Sequence, residues 1–110
     1  MPKRLAHLDR VFVALADPTR RAVIVRLGRG PASVSELARG HRMALPSFLQ
    51  HLGVLERGGL VRSHKRGRVR TYQLEPKAMQ VAGQWLERQR AHWAQRLDQM
   101  DDYLLQLKAQ

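Results

Sequence analysis

Apolar residues recur in this chain at two spacings, and the change between them divides it. Leu5, Leu8, Phe12 and Leu15 fall three and four apart, which predicts a first amphipathic helix over roughly residues 4–16. "ADPTRR" interrupts it. Asp17 suits an N-cap, and Pro18 suits the first helical position, where no amide hydrogen is needed. The helix that follows turns Val23, Ile24 and Leu27 inward and ends at Gly28. "GRGPAS" reads as a loop. Ser33 and Glu36 then stand three apart, as a capping box requires, and start a short helix through Leu37 and Ala38 that stops near Gly40. After the connection "HRM", Leu45, Leu49, Leu52 and Leu55 recur at four, three and three, with Phe48 and Val54 beside them. They predict a helix over about 45–57 with its leucine stripe inward, ended by Gly58-Gly59.

The helical period then disappears. "LVRSHKRGRVRTYQL" is rich in β-formers around one glycine and predicts two strands, near 60–64 and 69–74, meeting at a turn of Lys65, Arg66 and Gly67. Strand alternation places Tyr72 and Leu74 on one side with Arg68 and Arg70, so the strand must run off the body towards its tip. Pro76 closes the hairpin, and a long helix fills roughly 77–108. The expected fold is mainly α with a small β-hairpin, a winged helix-turn-helix in a single domain over 1–110. Its helix-turn-helix covers about 33–58, its wing about 60–75 and its C-terminal helix about 77–108.

That last helix carries a heptad seam: Leu86, Arg90, Trp93, Leu97, Met100, Leu104 and Leu107, alternating four and three apart. The seam runs about 30 Å at 1.5 Å per residue, more than a domain of this size can cover. Leu5, Leu8 and Phe12 of the first helix offer a matching stripe. A homodimer built from the first and last helices is therefore expected.

Charge adds a partner. The net charge is +11, and it is uneven: residues 1–75 hold 15 Lys and Arg against five Asp and Glu, while residues 76–110 hold five against four. A polyanion such as nucleic acid fits the first two thirds. The helix at 45–57 has a second face with Pro46, Ser47, Gln50 and His51 on or near it. Gln can pair bidentately with adenine, Ser can serve several bases, and Pro46 can touch a thymine methyl. His51, beside the leucine stripe, reads as a packing or phosphate-contacting residue. Lys65, Arg66, Arg68 and Arg70 crowd the hairpin, and phosphates relieve their mutual repulsion.

The chain has no cysteine, which excludes disulfides, thiolate metal sites and cysteine nucleophiles. No signal peptide or membrane-length apolar run is visible, so a soluble cytoplasmic protein that does not engage membranes is expected. No nucleophile is paired with a positioned base, and Asp98, Asp101 and Asp102 cluster on a solvated helix, so no enzyme and no cofactor are expected. The alternative to a sequence-specific regulator is a non-specific architectural DNA- or RNA-binding protein using the same basic surface.

With these features placed, the chain resembles the ArsR-type winged-helix transcriptional regulators along nearly its whole length. "ALADPTRRAVIVRL" (14–27) is similar to the family's second helix, "SVSELARGHRMALPSFLQHLGVLERGGLV" (33–61) to its helix-turn-helix, and "RGRVRTYQL" (66–74) to its wing. The resemblance implies a dimeric repressor on a palindromic operator near a promoter. It implies recognition residues Leu45, Pro46, Ser47, Gln50 and His51, and wing residues Arg66, Arg68 and Arg70. Ala44 stands where family members often carry a capping serine. The family's metal-sensing patterns are missing: no cysteine lies on the helix-turn-helix, and His92 with the nearby aspartates lacks the expected spacing. His7 and His92, on the first and last helices, are read as unrelated to metal. Control by a protein partner or small molecule at the dimer interface is a further alternative.

Overall fold

A computed structural model describes residues 3–109, and the side chains of residues 6–109. In chain order it contains α1 (Lys3–Leu15), α2 (Pro18–Leu27), β1 (Ala32–Ser33), α3 (Val34–Ala38), α4 (Leu45–Arg57), β2 (Val61–Arg66), β3 (Val69–Leu74) and α5 (Pro76–Ala109).

The corner between α1 and α2 is held by charge. The Arg20 guanidinium donates to the Ala14 and Val13 carbonyls at 2.8 and 2.9 Å, and Arg21 donates to the Leu15 carbonyl at 2.8 Å. These carbonyls lie in the last turn of α1, at its negative pole, and of the three the Val13 carbonyl also accepts from the Ala16 amide at 3.2 Å. Asp17 caps α2 by accepting from the Arg20 amide at 3.1 Å. That backbone bond, with the Arg20 guanidinium nearby, holds the Asp17 carboxyl below its usual range.

The hairpin has a third strand. "GRGPAS" contains β1, where Ala32 pairs with Tyr72 and Ser33 with Thr71, giving an antiparallel sheet of order β1-β3-β2. Two residues are too few for an alternation to show in sequence; β3 selects them. Ser33 also starts α3. Its hydroxyl accepts from the Glu36 amide and the Glu36 carboxylate accepts from the Ser33 amide, each at 3.2 Å. β2 runs to Arg66, beyond the expected boundary, so the turn is Gly67-Arg68 and not Lys65 to Gly67. Gly67 sits at φ +60°, the first position of a two-residue hairpin turn where glycine meets no Cβ penalty.

The core joins Val11 and Ala14 of α1, Val23 and Leu27 of α2, and Leu60 and Val61 to three residues of α4: Phe48, Leu52 and Leu55. Leu45 and Leu49, expected on the inner face, are 54% and 43% exposed. α4 packs against α1, α2 and β2 at once, and this turns Phe48 to the centre of the buried stripe. At 3.6 residues per turn, Leu45 and Leu49 then lie about 60° and 100° round from Phe48, roughly a sixth and a quarter of a turn. α4 ends in a Schellman motif. The Leu60 amide donates to the Leu55 carbonyl at 3.1 Å and the Gly59 amide to the Glu56 carbonyl at 3.0 Å, with Gly59 at φ +75°.

Only the start of α5 belongs to this body. Ala78 and Ala82 are buried, Val81 and Trp85 pack against the core, and Phe12 meets Trp85 edge-on with centroids 5.7 Å apart. Leu8 and Phe12 of the expected dimer stripe thus pack inside their own protomer, Leu8 fully and Phe12 in part. The side chain of Leu5, the third member, lies outside the described residues. Beyond Trp85 the helix leaves the body. The 34 residues of α5 reach about 51 Å, and the radius of gyration is 20.0 Å against the ~13 Å of a compact domain this long.

Candidate nucleic-acid interface

α4 begins without a side-chain cap, because Ala44 has no acceptor to offer. Two features offset this. Pro46, in the first turn, carries no amide hydrogen, so one donor that a cap would serve does not exist. The helical ladder also starts at once, with the Phe48 amide donating to the Ala44 carbonyl at 3.1 Å. The remaining first-turn amides sit among exposed residues, where water or a phosphate oxygen can accept from them.

From that end, α4 presents Leu45, Pro46, Ser47, Leu49 and Gln50 to solvent. The buried residues Phe48, Leu52 and Leu55 fix the rotation of the helix, so these five share an outward sector by necessity. Leu49 was absent from the expected recognition set. Its exposure was detectable only by choosing Phe48-Leu52-Leu55, spaced four and three, as the anchoring stripe in place of the leucines.

His51 is the expected recognition residue that turns away. It is half-buried, and its Nδ1 accepts from Arg20 Nη1 at 3.0 Å. A guanidinium has only donors, so Nδ1 is the acceptor in this contact. Asp17 Oδ2 stands 3.8 Å from the same nitrogen. His51 thereby ties α4 to the corner between α1 and α2, through the arginine that also caps α1.

On the wing, Lys65, Arg66 and Arg68 are exposed at and beside the Gly67-Arg68 turn. Arg70 stands nearer the body. Its Nη1 donates to the Ser63 hydroxyl at 2.9 Å, and that hydroxyl donates to the Glu56 carboxylate at 2.8 Å. This relay links β3 and β2 to the last turn of α4. Arg62, at the base of β2, faces Glu75 at 3.6 Å. The cations with no protein partner among the described residues are thus towards the tip, and the paired ones are at the base.

On α5, Leu86, Trp93, Leu97, Met100, Leu104 and Leu107 are all exposed, Trp93 at 65% and Leu97 at 61%. Arg90, the polar member of the seam, is held by Glu87 in a two-pronged pair at 2.8–3.1 Å. That contact lowers the Glu87 carboxyl and raises the Arg90 guanidinium. His7 lies over Gly59, where an added Cβ would meet its ring at 3.5 Å, and His92 is exposed. Among the described residues, no three His, Asp or Glu side chains gather as a metal site, and no helix is long and apolar enough to cross a membrane.

A helix-turn-helix followed by an antiparallel wing defines the winged-helix class. Residues 15–64 match a helix-turn-helix domain family. The crystal structure of the ArsR family transcriptional regulator RHA00566 superimposes with a TM-score of 0.80 at 50% identity, covering 86% of this chain and 97% of that one. The chain belongs to the ArsR family of transcriptional regulators. It is 48% identical over 68 residues to the HTH-type transcriptional regulator Rv2034 of Mycobacterium tuberculosis; the match covers 62% of this chain and 64% of that protein's length. It is also similar to the homodimeric winged helix-turn-helix DNA-binding domain of Mb0332 from Mycobacterium bovis, solved by solution NMR. That match has a TM-score of 0.63 at 26% identity and covers 81% of this chain and 88% of that one.

Proposed function

We propose that this chain is a sequence-specific DNA-binding regulator that acts as a homodimer on an inverted repeat. In this reading α4 enters the major groove, with Ser47 and Gln50 at base edges and Leu45 and Pro46 beside them. Lys65, Arg66 and Arg68 of the wing meet phosphates or the adjacent minor groove. The observation that carries the reading is the outward sector of α4, polar and uncommitted at its N-terminal end, next to a wing whose tip cations have no protein partner. His51 and Arg70 act from behind, by tying α4 to the α1–α2 corner and the wing to the last turn of α4. Repression follows where the operator overlaps a promoter, since two bound helices exclude other proteins from the same grooves.

The exposed seam of α5 supports the dimer, and the homodimeric relative supports it independently. Two-fold symmetry sets two α4 helices one helical turn of DNA, or a multiple, apart. α1 then contributes through its far side, where Val13 is exposed, because Leu8 and Phe12 are engaged within the protomer.

Selection of bound duplexes from random DNA tests the reading. A palindromic consensus, bound at least a thousandfold above random DNA and above RNA, is expected for a specific regulator. Gln50→Ala should cost about 1–3 kcal/mol on that consensus and relax preference at one position, whereas Arg68→Ala should weaken all duplexes alike and lower the salt slope by about one. Equal affinity for consensus, random duplex and RNA would instead identify a non-specific nucleic-acid binder.

A further inference from the structure

Leu49 lies outside the buried core. Phe48, Leu52 and Leu55 already anchor α4, and Leu49 stands outside that stripe, 43% exposed, one turn after the equally outward Leu45. Leu45 rests one side on the α3–α4 connection, lining a small hollow with His41, Met43 and Phe48. Beside the two leucines lies the exposed ring of Pro46. The result is a compact apolar surface on the first two turns of α4, flanked by Ser47 and Gln50.

What can cover this surface is limited by its surroundings. Arg39 and Arg42 precede it, and the exposed cations of the wing lie on the same basic two thirds of the chain. An apolar protein partner seated here would have to desolvate several of these charges, whereas a nucleic acid neutralises them. Within the major groove, the apolar group on a base edge is the C5-methyl of thymine, and 5-methylcytosine displays the same group at the same place.

We propose that Leu49, together with Leu45 and Pro46, reads a pyrimidine C5-methyl group in each operator half-site. The proposal rests on α4 being the groove-entering helix, and it adds a non-polar element to recognition otherwise assigned to Ser47 and Gln50. Leu49 is a specificity determinant that leaves the phosphate contacts untouched.

The test uses the full chain and the duplex it selects from a random library. Each thymine of the half-site is replaced singly by deoxyuridine, which removes only the methyl group, and each cytosine singly by 5-methylcytosine. Wild-type and Leu49→Ala proteins are titrated against every duplex. The expected result is one or two positions where loss of the thymine methyl weakens wild-type binding about fourfold, the worth of one buried methyl group, and where Leu49→Ala shows no difference. If the methyl belongs to cytosine, methylation tightens wild-type binding by the same factor and leaves Leu49→Ala unchanged. The proposal is overturned if wild-type binding is specific yet indifferent to every methyl, or if Leu49→Ala keeps the full discrimination. It is overturned equally if Leu49→Ala changes the oligomeric state, which would place Leu49 in a protein interface. A chain with no preference over random duplex overturns the reading of α4 itself, a distinct outcome. Because Leu49 is exposed, the variant should melt with the wild type, and this is checked on the same samples.

Discussion

α4 and α5 carry the same kind of apolar periodicity and meet opposite ends. The stripe of α4 is closed by three neighbouring elements, with Phe48, Leu52 and Leu55 fully buried. The stripe of α5 past Trp85 is left uncovered by its own protomer, with Leu97 at 61% and Leu104 at 50% exposure. Periodicity therefore announces that a helix has an apolar face, while the number of elements within reach decides whether the protomer covers it. α4 sits at the centre of a small body. α5 outruns that body by about 36 Å over its last 24 residues.

Leucine substitutions on each helix separate the two cases. Leu52→Ala should lower unfolding stability by about 2–5 kcal/mol at every protein concentration, because the cavity lies inside one chain. Leu97→Glu with Leu104→Glu should leave the body folded by circular dichroism but convert dimers to monomers in sedimentation. The dependence of Tm on protein concentration should then vanish. A double variant that still sediments as a dimer would show that the seam is not the interface.

A glycine in each region sharpens the contrast. Gly59 ends α4 at φ +75°, so Gly59→Ala should cost about 1–2 kcal/mol in chemical denaturation. Gly83 lies in α5, where an added Cβ would meet nothing within 4 Å, so Gly83→Ala should stabilise by up to ~1 kcal/mol. Equal effects of the same sign would break the distinction between a helix end held by backbone geometry and a helix interior held by propensity.

The smallest effect is expected from acid. Asp17 and Glu36 hold the caps of α2 and α3, and both carboxyls are lowered from 3.8 and 4.5, chiefly by the backbone amides they accept from. A carboxyl whose folded pKa is depressed adds stability that is full above its unfolded value and is lost as pH falls through the folded one. Stability of the wild type should therefore decline slightly faster below pH 4.5 than that of Asp17→Asn with Glu36→Gln. The gap between the two proteins, read by denaturant titration, should narrow towards pH 3. An unchanged gap across that range would deny these caps any electrostatic share.

Much of the molecule was legible from local chemistry. The Asp17-Pro18 start, the Ser33/Glu36 capping box, the glycine pair after Arg57 and the break to β-formers each act over a few residues, so the sequence carries them whole. The winged-helix order follows from their succession, and the resemblance to the ArsR family rests on the segments that carry them. Ala44 was legible too, as a missing cap; the compensation by Pro46 became visible with the first turn of α4.

What tertiary structure decided is everything that depends on rotation and reach. The sequence offered two apolar stripes on α4 only a fraction of a turn apart, and contacts with α1, α2 and β2 selected the one centred on Phe48. That selection moved Leu49 outward and drew His51 back to Arg20. β1 exists because β3 offers it an edge, and Arg70 turns to Ser63 because the strands are in register. Leu8 and Phe12 pack within the protomer because α5 passes over them before it leaves. Spacing along a chain fixes which residues share a face, but the direction of that face is a property of the neighbours, and neighbours far apart in sequence are brought together only by the fold.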